Sequence, residues 1–482
     1  MKKLESIAQN VNLSSKQLIW IFSIFIFIIF LTTLRTINYP PGEDSYLTLK
    51  LINELLKNPS VIIKDTLSFS SRFNPFFSLT EILISIISLT TKLEPFIIAK
   101  AFSYIFSISI LIIFILILKE LKINNKTTFL STIIFIFSPA FIYLTSTTSH
   151  YLLPLFLLTL IFYLFLKSHY KLLSFFLFLF PLINPLAALI TILFTTILIV
   201  TKNKKLLYLL SPSYLTLILY FTYLIYLLKF STYFNILQNI NPLSLIISDF
   251  GFQPGLSIFL LIGAVYGLIP LWKKVPYSKT LYFLIISLFI LSFFSTLALI
   301  LLAPFISILA ANGILNLHYK KWASNGLKAV TVAALMFGIF LSSFTFAFNH
   351  LTQLPDKEIT NALTYLKINS PESSVVLSDP SRGHWINYFA ERKNIADSNT
   401  FLAPEAKEKL EDIDKIFQTR DIDKFEVLIK KYKIDYIFID ADLKKQLWKT
   451  DEEGLQFILK NNPNIIKFYK NNKVEIWKII KN

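Results

Sequence analysis

The chain has 482 residues, 54% of them hydrophobic, a formal net charge of +17 and no cysteine. The missing cysteines exclude disulfides, thiolate metal sites and cysteine nucleophiles. A mean hydropathy of +0.59, with many runs near the ~20 apolar residues of a spanning helix, reads as a polytopic membrane protein. The charge is no nucleic-acid signature: residues 1–349 carry 25 Lys+Arg against 9 acids, and residues 350–482 are nearly balanced at 22 against 21. Nucleic acid is therefore not an expected partner, and the excess base sets orientation in the lipid membrane.

Lysines cluster at Lys2/Lys3/Lys16, Lys119/Lys122/Lys126, Lys167/Lys171, Lys202/Lys204/Lys205, Lys273/Lys274/Lys279 and Lys320/Lys321/Lys328. If each cluster faces the cytoplasm, an even number of passes separates neighbours. In chain order the spans fall at 17–34, 96–118, 128–146 and 151–166. The run 172–201 divides at Asn184-Pro185 into two short spans, and 206–228, 256–272, 280–297, 299–315 and 329–347 follow. That gives about eleven transmembrane helices in a cell-membrane protein, with the N-terminus cytoplasmic and the C-terminal domain extracytoplasmic. Residues 76–91, short and carrying Glu81, read as a juxtamembrane or re-entrant helix.

The external face then holds a first loop at 35–75, a turn at Thr145–His150, a turn at Asn184-Pro185 and a loop at 229–255 containing Asp249. The first loop carries Glu43 and Asp44, adjacent carboxylates in a half of the chain that almost avoids acids. Acids near a bilayer are costly, which makes the pair a functional candidate. Residues 45–58 repeat apolar side chains at helical spacing, with Lys50, Glu54 and Lys57 on the other face, as in an interfacial amphipathic helix.

Residues 1–349 thus form a transmembrane domain, and 350–482 form a soluble α/β domain. Helices are expected at 356–369, 384–393, 404–418 and 422–432, and strands at 374–379, 394–398 and 434–440. A hairpin at 464–480 closes the unit. No GxGxxG, phosphate loop or HExxH is present, so no nucleotide cofactor is expected. The five histidines (His150, His169, His318, His350, His384) are scattered.

The run PPGEDSYLTLKLINEL resembles the first external loop of GT-C glycosyltransferases that use polyprenyl phosphates, where an acid or acid pair precedes an aromatic and an amphipathic helix. Arg72–Pro75 and LLAPFISILAANGIL at 301–315 resemble the same superfamily. VVLSDPSRGHWINYFAERKNIADSN at 375–399 is similar to a segment of the oligosaccharyltransferase catalytic subunit, where a WWDYG motif leads into a comparable run. The sequence departs from that pattern: Asp379, Pro380, Ser381 and Arg382 stand where Trp-Trp-Asp-Tyr would be. The turn Thr145–His150 lacks the family's paired acids, and the arginine the family places near a stretch like 301–315, to hold the lipid phosphate, is missing.

The resemblance implies a GT-C fold and transfer of a sugar, hexosyl or oligosaccharyl, from a polyprenyl-phosphate-linked donor to a protein or glycolipid acceptor at the external face, with inversion. Asp44 would be the base, because it directly precedes Ser45-Tyr46. Glu43 would orient the acceptor or share a divalent metal, Mg or Mn, with Asp44. Arg72 and Arg35, the only arginines of the membrane half, would meet the donor phosphate. Asp379, Ser381, Arg382, His384 and Trp385 would meet the acceptor, although the same turn also reads as a simple helix cap. His150 and Asp249 would give a second contact across the cavity. A non-catalytic lipid-linked glycan flippase or transporter is the alternative. Nearly charge-free spans with a single Asn-Pro break speak for surface chemistry instead.

Overall fold

The computed structural model describes residues 14–35, 39–59, 65–68, 79–202, 204–228, 247, 254–272, 278–400, 405–450 and 452–480. The predicted spans emerge as helices because their side chains are apolar on every face. They run Ser15–Arg35, Pro95–Glu120, Leu152–Leu166, Tyr170–Ile183, Pro185–Lys202, Ser211–Leu228, Ile258–Trp272, Ser278–Ser292, Thr296–Tyr319 and Asn325–Leu351. Five helical stretches are long and apolar enough to cross a membrane, or six with one bent pair counted as a span. Other apolar helices are shorter. At about 1.5 Å per residue, a 15-residue helix falls short of a hydrocarbon core of about 30 Å. The expected eleven passes therefore exceed what helix length supports among the described residues. Residues 76–91 yield a 13-residue helix, Leu79–Thr91.

Two proline sites shape the bundle. Asn184-Pro185 divides the run 172–201 as expected, with the Asn184 side chain accepting from the Ala187 amide at 2.9 Å. The expected single span 128–146 is instead two helices, Asn125–Ile136 and Pro139–Ser146, bent by 55°. Pro139 has no N–H to continue the first helix, and Ser138 starts the second by accepting from the Phe141 amide at 3.2 Å. The Phe137 carbonyl at the break accepts from the Ser343 hydroxyl. Thr296–Tyr319 runs through the middle of the bundle, and Gly263, Gly267 and Gly313 let Ile258–Trp272 approach it closely: a Cβ on Gly267 would lie 1.8 Å from the Leu309 carbonyl oxygen.

Beyond Asn325–Leu351 the chain forms an α/β unit on a five-stranded sheet of order β2-β1-β3-β5-β4. The strands are β1 Val375–Leu377, β2 Lys393–Asn394, β3 Tyr436–Asp440, β4 Ile465–Lys470 and β5 Val474–Ile479. β1 is parallel to β2 and β3, and β5 is antiparallel to β3 and β4. Side-chain alternation sends Val375, Leu377, Ile437 and Ile439 to one face, against helices Ala406–Gln418, Ile422–Tyr432 and Gly454–Asn461. Val376, Tyr436, Phe438 and Ile476 go to the other face, with helix Lys357–Asn369 and Tyr46 of the first loop. The expected strand at 394–398 shrinks to β2, and the expected helix at 384–393 becomes a tight turn at Pro380–Arg382 and an irregular helix to Ala390. Helices Ala441–Leu447 and Gly454–Asn461 were not foreseen.

The first-loop helix, Glu43–Lys57, is clamped between the two halves. Leu49 and Ile52 pack with Ile84, Ile98 and Ala99 of the membrane half. Tyr46, fully buried, meets Trp385 and Tyr388 edge-on at 6.2 and 5.4 Å. The amphipathic pattern predicts an interfacial helix, but Lys50 and Glu54 of its charged face are covered and only Lys57 stays exposed. Lys50 is buried and donates to Asp65 at 2.9 Å and to Asn387 at 3.1 Å. Glu54 is buried too.

Candidate active site

Glu43 and Asp44 open the loop helix. The preceding Gly42 takes φ +77°, a left-handed value glycine adopts without strain. No side chain caps the helix N-terminus. The turn at 145–150 is bolted to this start: Ser45 Oγ donates to the Pro41 carbonyl at 2.8 Å and accepts from the Thr148 amide at 3.3 Å.

Asp44 accepts a hydrogen bond from the Tyr143 hydroxyl. That contact depends on the Pro139 break, which turns Pro139–Ser146 away from the helix before it. The Tyr143 ring lies 5.4 Å from His350 and 6.4 Å from Tyr151. The His150 ring lies 4.1 Å from that of Tyr151, tilted by 45°. Its pKa is lowered by burial, with the Asp44 charge pulling the other way.

Glu43 faces the α/β unit and accepts from the His384 backbone amide at 3.4 Å. Its carboxyl is pushed up to about 8, first by desolvation and then by the charges of Asp397 and Asp44. Glu43 is therefore largely protonated near pH 7. His384 Nδ1 lies 3.7 Å from Asp397 Oδ2, and both side chains are buried. Gly383 allows this approach, since a Cβ there would meet the Ala396 carbonyl oxygen at 2.4 Å.

The other expected acceptor residues take up packing and capping roles. Asp379 accepts from the Ser381 amide at 2.8 Å, so the capped-turn reading of this segment describes it. Arg382 is committed to Asp440, Nε to Oδ2 2.6 Å, and lies over the Trp385 ring at 4.6 Å. Of the five, only Ser381 is exposed. Arg72 and Asp249 lie outside the described residues, and Arg35 ends the first helix with its side chain outside the description. Among the described residues, no three of histidine, aspartate and glutamate converge as metal ligands would. The divalent metal the sequence suggested has no such three-residue site among the described residues.

Three residues of the site escaped the sequence reading: Tyr143, Asp397 and His350. Asp397 stands in the same run as His384 and Trp385, and Tyr143 follows the Pro139 break by four residues. These were the available signals.

No known family profile and no curated protein sequence matches the chain. Solved structures do. The apo oligosaccharyltransferase of Archaeoglobus fulgidus superposes with a TM-score of 0.61 at 13% identity, over 88% of this chain and 70% of that one. Arabinofuranosyltransferase AftD from Mycobacteria gives 0.60 at 13% identity, over 96% of this chain and 40% of that one. ArnT from Cupriavidus metallidurans, solved with undecaprenyl phosphate, gives 0.55 at 11% identity, over 96% and 98%. The fold is that of the GT-C membrane glycosyltransferases. With its apolar helices, the chain is a multi-pass membrane protein of that architecture.

Proposed function

We propose that this protein is a membrane glycosyltransferase that moves a sugar from a polyprenyl-phosphate donor to a hydroxyl of a protein or glycolipid acceptor, at the external face and with inversion. The carrying observation is Asp44: a carboxylate at the start of the loop helix, hydrogen-bonded by Tyr143, next to a neutral Glu43 and beneath the α/β unit. The acceptor hydroxyl gives its proton to Asp44, its oxygen bonds to the anomeric carbon, and the bond from that carbon to the phosphate oxygen breaks. Polyprenyl phosphate leaves with the electron pair. Tyr143 keeps the Asp44 carboxylate in one orientation, which is what a general base needs. Neutral Glu43 is a hydrogen-bond donor for the acceptor and spares the departing phosphate a second negative charge. Ser381, the exposed member of the 379–385 turn, is the proposed acceptor contact, and Arg382 and Trp385 position it. The GT-C likeness supports the lipid-linked donor. It favours transfer over transport because the acids cluster above the spans.

Asp44→Asn is the test. With a labelled polyprenyl-phosphate sugar and membrane extract as acceptor, transfer should drop by at least about 10²-fold, the usual scale of general-base loss. Detergent stability should stay near that of the parent. Full transfer by the Asn variant would remove Asp44 as base.

A further inference from the structure

A cavity of about 350 Å³ opens where the loop helix, the return of the first loop and the α/β unit meet. Lys50, Asn53, Glu54 and Lys57 line it from the helix, at the i, i+3, i+4 and i+7 positions that share one face. Thr66 lines it from the loop return, and Glu372, Tyr388 and Lys393 line it from the α/β unit. Glu372 shortly precedes β1, and β2 pairs Lys393 with Val375, which brings the two residues to the same end of the sheet. Lys50 and Asn387 are buried at the base, and Thr66 and Glu372 are exposed at the rim. The proposed transfer step uses none of these residues.

The chemistry of the walls selects the ligand. Most of the cations are committed to neighbours. Lys50 holds Asp65 and Asn387. Lys57 and Lys367 take the two carboxylate oxygens of Glu391 at 2.6 and 2.7 Å. Arg392, buried, donates from Nε to Ser370 Oγ at 2.9 Å and from both terminal nitrogens to backbone carbonyls. An anion such as phosphate therefore gains little here. Glu372 can accept, Lys393 can donate, and the Asn53 amide and Thr66 hydroxyl can do both. Among the described residues these four side chains have no other partner. Tyr388, met edge-on by Tyr46 and Phe389, adds a half-buried ring. Mixed donors and acceptors around a single ring fit a neutral polyhydroxyl compound with one apolar face, which is the chemistry of a sugar. The volume falls within the about 300–1,000 Å³ usual for small-ligand sites.

We propose that this cavity binds a neutral saccharide ring, part of a glycan carried by one of the two substrates. The substrate assignment rests on the transferase reading, and the saccharide chemistry rests on the cavity walls. Distance makes this a second site. Asn53 stands nine residues after Asp44, about 14 Å along the helix at about 1.5 Å per residue. A sugar held there is not the one whose bond breaks at Asp44 but a unit farther along the same glycan. Its hydroxyls donate to Glu372 and accept from Lys393 and the Asn53 amide, and its C–H face lies on Tyr388. A glycan bound here touches the loop helix and the α/β unit at once. It therefore favours the arrangement that sets Asp44 beneath that unit.

The test uses full-length protein in a detergent without a sugar headgroup. Saturation-transfer NMR titrates glucose, galactose, mannose and arabinose as mono-, di- and trisaccharides, with inorganic phosphate alongside. At least one saccharide should bind. Asn53→Ala/Glu372→Ala, with Tm near the parent's, should weaken it by about tenfold or more, the scale of one lost hydrogen bond to a charged group. Thr66→Trp, at the exposed rim, should block it with the buried base intact. Asp44→Asn should bind the saccharide as the parent does. Failure of every saccharide to bind would overturn the inference. So would capture of phosphate alone, or a loss in Asp44→Asn larger than in the double variant. In the transfer assay the double variant should raise KM for the acceptor if the acceptor carries the glycan, and for the donor if the donor does. A parental KM for both would overturn the substrate assignment. The two readings fail separately. Saccharide binding that depends on Asn53 and Glu372, in a protein that transfers no sugar, would sink the transferase reading alone. Active transfer without saccharide binding would sink this one alone.

Discussion

Glu43 and Asp44 are neighbours in sequence with opposite surroundings. Asp44 is turned to the membrane half, where Tyr143 gives it a hydrogen bond, and Glu43 is turned to the α/β unit and the charge of Asp397. The sign of the pH effect follows. The folded pKa of Glu43, about 8, lies above its unfolded value of 4.5. The folded state therefore binds the proton more tightly. This contribution to stability is complete below the unfolded value and is lost as pH rises through the folded one. Glu43→Gln, which cannot ionise, should lose less stability than the parent between about pH 5 and about pH 9. Scans of Tm against pH for the two proteins measure this. If neutral Glu43 donates to the acceptor, transfer by the parent should fall above about pH 8, and Glu43→Gln should lose that alkaline limb while staying active. Identical Tm profiles would show that Glu43 is ionised at neutral pH.

At the scale of elements, the loop helix is held by a buried network. Lys50 pairs with Asp65 at 2.9 Å, with both side chains at 1% exposure or less. Asp65 accepts from the amides of Leu67 and Ser68 at 3.1 Å each. Asn387 accepts from Lys50 and donates to the Leu67 carbonyl at 3.2 Å, and Asn394 of β2 donates to the same carbonyl, also at 3.2 Å. One cation thus ties the loop helix, the return of the first loop and the α/β unit together. Removing one partner of a buried pair leaves the other charged and dry, at a cost of about 3–5 kcal/mol. Lys50→Met should therefore lower stability by about that amount in denaturant unfolding. The double variant Lys50→Met/Asp65→Asn should lose less than the single. A double variant weaker by the full sum of two losses would mean the residues act independently.

At the scale of the whole molecule, the α/β unit roofs the acids through Tyr46, Trp385 and Lys50, so the acids and the α/β unit belong on one side of the membrane. The absence of native cysteine makes this measurable. Single cysteines replace Lys424, exposed on the α/β unit, and Ala323, exposed between Thr296–Tyr319 and Asn325–Leu351. In intact cells an impermeant maleimide should label the first and spare the second. Labelling of Ala323→Cys alone would invert the orientation and move the proposed donor to the cytoplasmic face.

What the sequence settled by itself is what local chemistry settles. Apolar runs gave the membrane helices, Asn184-Pro185 gave a break, and helical periodicity gave the loop helix. Alternation and apolar runs gave β1, β3 and the terminal hairpin. Each depends on neighbours within one turn or one strand. Pro139 carried the same kind of signal and went unread because the apolar run continues across it. Only the tertiary structure could join Asp44 to Tyr143, 99 positions away, Glu43 to His384, 341 away, and Lys50 to Asn387, 337 away. Nothing in composition or spacing encodes such pairs. They exist because the α/β unit folds back onto the loop helix and the Pro139 bend aims Tyr143 at its start. Burial of Lys50 could not be read either: on a helical wheel it is a charged residue on a polar face, and only the unit packed over that face takes it out of water.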